Sequence, residues 1–147
     1  KDNEDDRFQA TNIAELNTKG FEISTDYGFK MGQFNQSINA SYNFLEDDIK
    51  DVQANFSRYS INSLKHQFTS RLSTKFLKNL SQNIVYRYAE RTSGQTYSVV
   101  DISATLVIKN FEVSVFANNI FNTDYTETNL VPMPKGNLLF GVNYHFQ

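Results

Sequence analysis

The side chains of this chain repeat every two residues over long runs, and that period constrains the fold more than any other feature. Within 33–44, one set of alternate positions carries Phe34, Gln36, Ile38, Ala40, Tyr42 and Phe44. The other set carries Gln33, Asn35, Ser37, Asn39, Ser41 and Asn43, all polar and uncharged. Successive side chains of an extended strand point to opposite sides, so this run predicts a strand with one greasy and one wet face. The same alternation places Phe21, Ile23, Tyr27 and Phe29 on one face, and likewise Leu64, Phe68, Leu72 and Phe76. Further along it groups Ile84 with Tyr86 and Tyr88, Ile102 with Leu106, Val113 with Val115, and Leu138 with Phe140, Val142, Tyr144 and Phe146. Seven strands are expected, at roughly 8–29, 33–45, 63–77, 80–91, 97–109, 111–119 and 137–146.

The connections between them alternate in length. Residues 30–32, 78–79 and 110 read as tight turns, whereas 46–62, 92–96 and 120–136 read as longer polar loops. Short turns at one end and long loops at the other describe an antiparallel up-and-down transmembrane β-barrel. The strands are also longer than the usual five or six residues, and about 9–11 tilted residues cross a bilayer. A soluble barrel or sandwich alternates too, with its apolar face inward, so alternation alone leaves the side open. Two details lean toward a membrane. Aromatics sit near the strand ends (Phe34 and Phe44, Phe68 and Phe76, Phe140 and Phe146), as interfacial girdles do. The polar faces are mostly Asn, Ser, Thr and Gln, where a water-exposed face would carry more Lys and Glu.

Composition now makes sense. Among 147 residues there are 13 Phe and 8 Tyr, only 6 Gly and 2 Pro, and no Cys. The mean hydropathy of −0.49 averages two unlike faces and by itself would read as soluble. A formal charge of −2 argues against a nucleic-acid partner, which calls for a basic surface. The lack of Cys removes disulfides and thiolate metal sites from consideration. No apolar run approaches the roughly 20 residues of a membrane helix, and the charged start Lys1–Arg7 has no apolar stretch behind it.

The C-terminal region carries a resemblance. Val115-Phe-Ala-Asn-Asn-Ile-Phe-Asn122, then Tyr125, then Val131-Pro-Met-Pro134, then Leu138-Leu-Phe-Gly-Val-Asn-Tyr-His-Phe146, resembles the C-terminus of TonB-dependent outer-membrane transporters. That family has an N-L-F-N/D-x-x-Y element after its penultimate strand, a P-x-P-G-R-like loop and a last strand ending in Phe. The stretch from Asn12-Ile-Ala-Glu15 through Thr18-Lys-Gly-Phe-Glu22 is similar to the family's N-x-G-x-x-x-x-x-G-x-E segment. Lys135-Gly136 stands where the family has Gly-Arg, Ala14 replaces a Gly, Gln147 follows the terminal Phe, and Leu139 occupies a position usually polar. The resemblance implies that residues 1–147 are the C-terminal part of one barrel domain, about the last 7 strands of a barrel of about 22, with a plug domain outside this chain.

It further implies a bacterial outer-membrane location and TonB-dependent uptake of a scarce bulky ligand of the cobalamin or ferric siderophore class. The loop Thr128–Pro134 is similar to that of the Bacteroides cobalamin-receptor-like group. Expected partners are outer-membrane lipid, the chain's own N-terminal plug and remaining barrel strands, the TonB complex through the plug, the barrel-insertion machinery, and the small-molecule substrate. The barrel-insertion signal would comprise Gly141, Tyr144 and Phe146. Lys65, Arg71, Lys75, Arg87 and Glu112 are expected on the wall facing the lumen and plug. Two other classes stay open: a soluble small-ligand binding module, and a passive structural barrel of the outer membrane.

Chemistry-bearing motifs are sparse, and no enzymatic activity is expected. There is no phosphate-binding Gly-rich loop, nucleophile elbow or paired-carboxylate motif. His66 and His145 lie on different strands and opposite faces, and Glu46-Asp47-Asp48 reads as a solvated loop tip, so neither metal nor cofactor is expected. Ligand recognition is expected on the long loops, where a rigid wall displays variable residues. The aromatic, basic or amphipathic groups there are Phe56, Arg58, Tyr59, Arg91, Tyr97, Tyr125, Asn129 and Met133.

Overall fold

A computed structural model describes residues 15–50, 64–127 and 131–146. They form seven strands: β1 (Glu15–Met31), β2 (Phe34–Lys50), β3 (Leu64–Lys75), β4 (Leu80–Arg91), β5 (Thr96–Ile108), β6 (Phe111–Asn118) and β7 (Asn137–Tyr144). All pair antiparallel in one up-and-down sheet in sequence order, which does not close. The all-β architecture and the number of strands agree with the period-two reading; the sheet is seven strands wide, with β1 and β7 as its two edges.

Several boundaries moved. Lys30 and Met31 belong to β1, and the turn is shifted to Gly32 and Gln33. Glu46–Lys50, expected as the start of a loop, continues β2 and pairs with Glu15–Lys19. Charge made this stretch look like loop, but an exposed ladder tolerates charge: Lys19 lies opposite Glu46, and Thr18 Oγ1 donates to Asp47 Oδ1 at 2.7 Å.

Cross-strand partners share a face, so the register extends each alternation across the whole sheet. One row runs Tyr27–Ile38–Leu72–Ile84–Ile102–Ala117–Leu138, and a neighbouring row runs Ile23–Tyr42–Phe68–Tyr88. On the other side, Gly28–Ser37–Ser73–Asn83–Ser103 is small or polar, with Ser73 Oγ donating to Asn83 Oδ1 at 2.6 Å, and the row ends in exposed Phe116 and Leu139 on β6 and β7. Among the described residues, nothing covers the apolar face. Ile23 is 63% exposed, Phe140 72% and Phe146 89%. Its polar exceptions are satisfied locally: Thr74 Oγ1 donates to Gln36 Oε1 at 3.2 Å, and both residues are buried.

Rings gather at both ends of this face. Toward the long loops, Phe21 contacts Tyr42 and Phe44, and Phe44 contacts His66. Toward the tight turns, Phe34 meets Phe76 edge-on at 5.3 Å, while Tyr144 lies 4.8 Å from Phe111 and 4.7 Å from Phe146.

Close approach is tightest at Gly20. A Cβ there would run into the Phe44 carbonyl oxygen and lie 2.7 Å from Leu45 Cδ2. Backbone cannot yield as a flexible side chain would. Gly20→Ala is therefore expected to destabilise the sheet by about 1–3 kcal/mol, from overpacking. Denaturant unfolding of the refolded chain, followed by loss of β-sheet circular dichroism, checks this; an unchanged midpoint would contradict the close approach.

Candidate functional site

The described residues bury little, and most of what they bury is on the polar face. Val99 is 0% exposed, Ala89 and Arg91 2%, and Asn119 3%. The cover is the β6–β7 connection, which folds inward over β4 and β5 instead of standing out from the sheet end.

Asn119 starts that fold. Its backbone takes a positive φ of 47°, and Asn122 follows at 57°, a region Asn tolerates better than most residues. The Asn119 N–H donates to Asp101 Oδ1 at 2.7 Å, and the Ile120 N–H donates to the Val100 carbonyl at 3.0 Å. The Asn119 side chain then ties the two ends of the loop together. Its Oδ1 accepts from the Thr123 N–H at 2.8 Å, and its Nδ2 donates to the carbonyls of Thr123 at 2.8 Å and Pro134 at 3.4 Å. Asn122 Oδ1 accepts from the Gly136 N–H at 3.0 Å. A Cβ on Gly136 would sit 2.9 Å from the Asn119 carbonyl oxygen, so a glycine is needed where the loop closes.

Two arginines hold the middle of the loop down. Arg87 projects from β4 between two carboxylates: Nη2 lies 3.0 Å from Asp101 Oδ2 on β5, and Nη1 3.2 Å from Glu127 Oε1 in the loop. The Arg91 guanidinium donates to the backbone carbonyls of Thr126 and Glu127, the former at 3.0 Å. Tyr125 is buried under this bridge with its ring 4.7 Å from Tyr97. A short antiparallel bridge, Thr126 to Pro132, and a bond from the Met133 N–H to the Tyr125 carbonyl make the loop a small hairpin. Between hairpin and sheet lies a cavity of about 200 Å³, lined by Arg87, Asp101, Asn119, Tyr125, Met133 and Pro134 among others. That is smaller than the roughly 300–1,000 Å³ of ordinary ligand pockets.

A larger hollow of about 540 Å³ lies near the long-loop end of β1–β3, where Thr18, Glu22, Asn43, Lys65 and Gln67 converge around Gly20. The expected wall residues Arg71, Lys75, Arg87 and Glu112 occupy polar-face registers, opposite Asn39, Asn35, Thr69 and Asn143 respectively. Lys65, at a register shift in β3, lines the hollow just described. Arg87 is engaged by acids of its own sheet and loop. Of the expected loop residues, Arg91, Tyr97, Tyr125 and Met133 come together in the folded hairpin, with Arg91 and Tyr125 buried there. Phe56, Arg58, Tyr59 and Asn129 lie outside the described residues. Gly141 is on the polar face opposite Ser114, and Tyr144 with Phe146 joins the aromatic band on the other. His66 Nδ1 lies 2.7 Å from the Tyr42 hydroxyl, and among the described residues no cluster of three or more His, Cys, Asp or Glu forms.

Sequence reasoning passed over Asp101, Asn119 and Glu127 as individual residues. Asp101 had a signal, a lone carboxylate on the polar face of an otherwise neutral strand. No family model, curated protein or solved structure matches the chain.

Removing the Asn119 side chain deletes three hydrogen bonds at a buried position. Asn119→Ala is expected to cost about 1–3 kcal/mol and to raise hydrogen exchange across the β6–β7 hairpin, while β1–β3 amides keep their protection. Exchange unchanged in the hairpin would show that the arginine contacts alone suffice.

Proposed function

We propose that this chain is part of the wall of a TonB-dependent transporter in a bacterial outer membrane, lying across the bilayer and serving uptake of a bulky ligand of the cobalamin or ferric siderophore class. The observation that carries the bilayer part is the uncovered apolar face with a ring of aromatics at each end. Along β2, Phe44 and Phe34 stand about 33 Å apart at roughly 3.3 Å per residue, and a tilt of about 40° reduces this to about 25 Å, the height of the apolar band of an outer-membrane barrel. A contiguous apolar face of this extent is foreign to soluble monomers, which disfavours the soluble binding module.

The opposite face supports a lumen wall. It is lined mostly by Asn, Ser and Thr over β2–β4, carries Lys65, Arg71, Lys75 and Glu112, includes Val107, Phe116 and Leu139 toward β7, and holds the β6–β7 hairpin against it. The transport part rests on the resemblance of the C-terminal residues, and in this reading Asn119, Asn122, Tyr125 and Gly136 are the means by which that element folds inward. The rest of the barrel and the plug would cover the two open edges and part of the polar face, and the ligand would meet the long-loop end.

The chain contains no Cys, so single cysteines report each face cleanly. In intact outer membranes or proteoliposomes, cysteines replacing Ile38, Leu72 or Val115 are expected to resist a water-soluble maleimide, and those replacing Ser37, Ser73 or Ser103 to react. Equal labelling of both sets would remove the bilayer reading. Transport is tested separately: deleting the gene in its native host is expected to abolish TonB-dependent accumulation of cobalamin or a ferric siderophore. Unchanged accumulation of both would leave only a passive wall.

A further inference from the structure

The two rims of the apolar face differ in charge. At the long-loop rim, the strand positions in register with that face are Glu15, Glu46, Asp48 and Glu90 against Lys19, opposite Glu46, and Lys50, opposite Glu15, so acids outnumber cations there. At the tight-turn rim, the turns carry Lys78, between β3 and β4, and Lys109, between β5 and β6. Both lysines are exposed, and among the described residues neither has an ion-pair partner. Lys30 and Lys75 emerge at the same end from the polar face, also exposed. The acids nearest that end are engaged: Glu112 Oε1 accepts from Asn143 Nδ2 at 3.3 Å, and Asp26 Oδ1 from Asn39 Nδ2 at 2.7 Å.

What surrounds the two lysines decides what they meet. Lys78 follows Phe76 and Leu77, the latter 60% exposed; Lys109 lies between Ile108, 51% exposed, and Phe111, 49% exposed. An ammonium set directly beyond a belt of exposed aromatic and aliphatic side chains matches a bilayer interface, where the apolar groups enter the acyl region and the cation reaches the headgroups. An acidic protein in water would satisfy the cations and leave that belt uncovered.

We infer that the tight-turn rim binds anionic phospholipid headgroups through Lys78 and Lys109. The inference rests on the bilayer reading above and adds the headgroup chemistry. A Lys near an anionic surface contributes about 1 kcal/mol before screening, so two of them give roughly a thirtyfold preference for anionic over zwitterionic lipid at low salt.

The purified full-length protein that contains these strands, held in mild detergent, is mixed with vesicles of phosphatidylcholine, alone or with phosphatidylglycerol, and its partitioning is read by flotation at low and high salt. The wild type is expected to prefer the phosphatidylglycerol vesicles about thirtyfold at low salt and to lose the preference at high salt. The double variant Lys78→Gln, Lys109→Gln is expected to lose it at either salt while entering pure phosphatidylcholine as the wild type does. The change is confined to exposed turn side chains, and matching β-sheet circular dichroism confirms that the variant is folded. A preference that survives in the folded variant, or no preference in the wild type, overturns the inference. So does binding of soluble polyglutamate by the detergent-held wild type with the same lysine dependence, which would assign the rim to an acidic protein. A chain that ignores phosphatidylcholine yet prefers phosphatidylglycerol through these lysines upholds the headgroup site and removes the bilayer-spanning reading instead.

Discussion

Antiparallel register is the constraint on which the rest of the molecule depends. Along most of the sheet an apolar position lies opposite an apolar or small one and a polar position opposite a polar one, with mixed pairs such as Phe29–Gln36, Arg71–Val85, Arg87–Val99, Ser103–Phe116 and Val107–Glu112. A slip of one residue in any single ladder would move a whole strand's set of side chains to the wrong side. The cost would be large on both faces at once. Leu72 and Ile84 would enter a surface of Ser and Asn, while Arg71 and Asn83 would enter the apolar face. Two-sided contrast of this kind specifies register without a conventional packed core, which these residues do not have.

The β6–β7 hairpin supplies the packing that the open sheet lacks, and it does so with polar chemistry. An inward-folded loop must satisfy its own carbonyls away from water. Here Arg91 serves two of them at once, from a strand position that is itself buried, and Asn119 serves two more while accepting one N–H. Arginine suits this because its fork of donors is rigid, so the loop backbone is held in one position and not merely attracted. Arg87 differs. It is partly exposed and bridges carboxylates of strand and loop, an arrangement worth less per contact because water screens it. The neutral and backbone-directed bonds therefore fix the loop, and the ion pairs adjust it.

How much of this was legible in the sequence follows the range of the interactions. Alternation is local, so strands such as Leu80–Arg91 and Phe111–Asn118 are readable from their own residues, and both faces with them. Strand ends were less readable. Glu46–Lys50 has the composition of a loop, and only its partners on β1, some thirty residues earlier, keep it extended. The hairpin was least readable. Arg91 was visible as a basic residue beside a loop, but nothing near it announces that its partners are the carbonyls of Thr126 and Glu127, because any residue supplies a carbonyl. Asn119 and Gly136 stood in a recognisable pattern whose physical meaning, two Asn side chains closing a loop on a glycine, required coordinates.

The edges carry the argument past these residues. About half the residues of an edge strand direct N–H and C=O groups away from their one neighbour. In water those groups are solvated, and an exposed edge is a hazard of association more than a loss of stability. In hydrocarbon each unsatisfied group costs several kcal/mol, and no open edge survives there. The same sheet cannot rest easily in either solvent: its apolar face disfavours water, and its edges disfavour lipid. In a bilayer, the setting proposed above, both demands are met together only if further strands continue the ladder from β1 and from β7 until they close. For a sheet with these two faces, closure is the condition that makes a bilayer tolerable, which is why the barrel reading requires more strands than these seven.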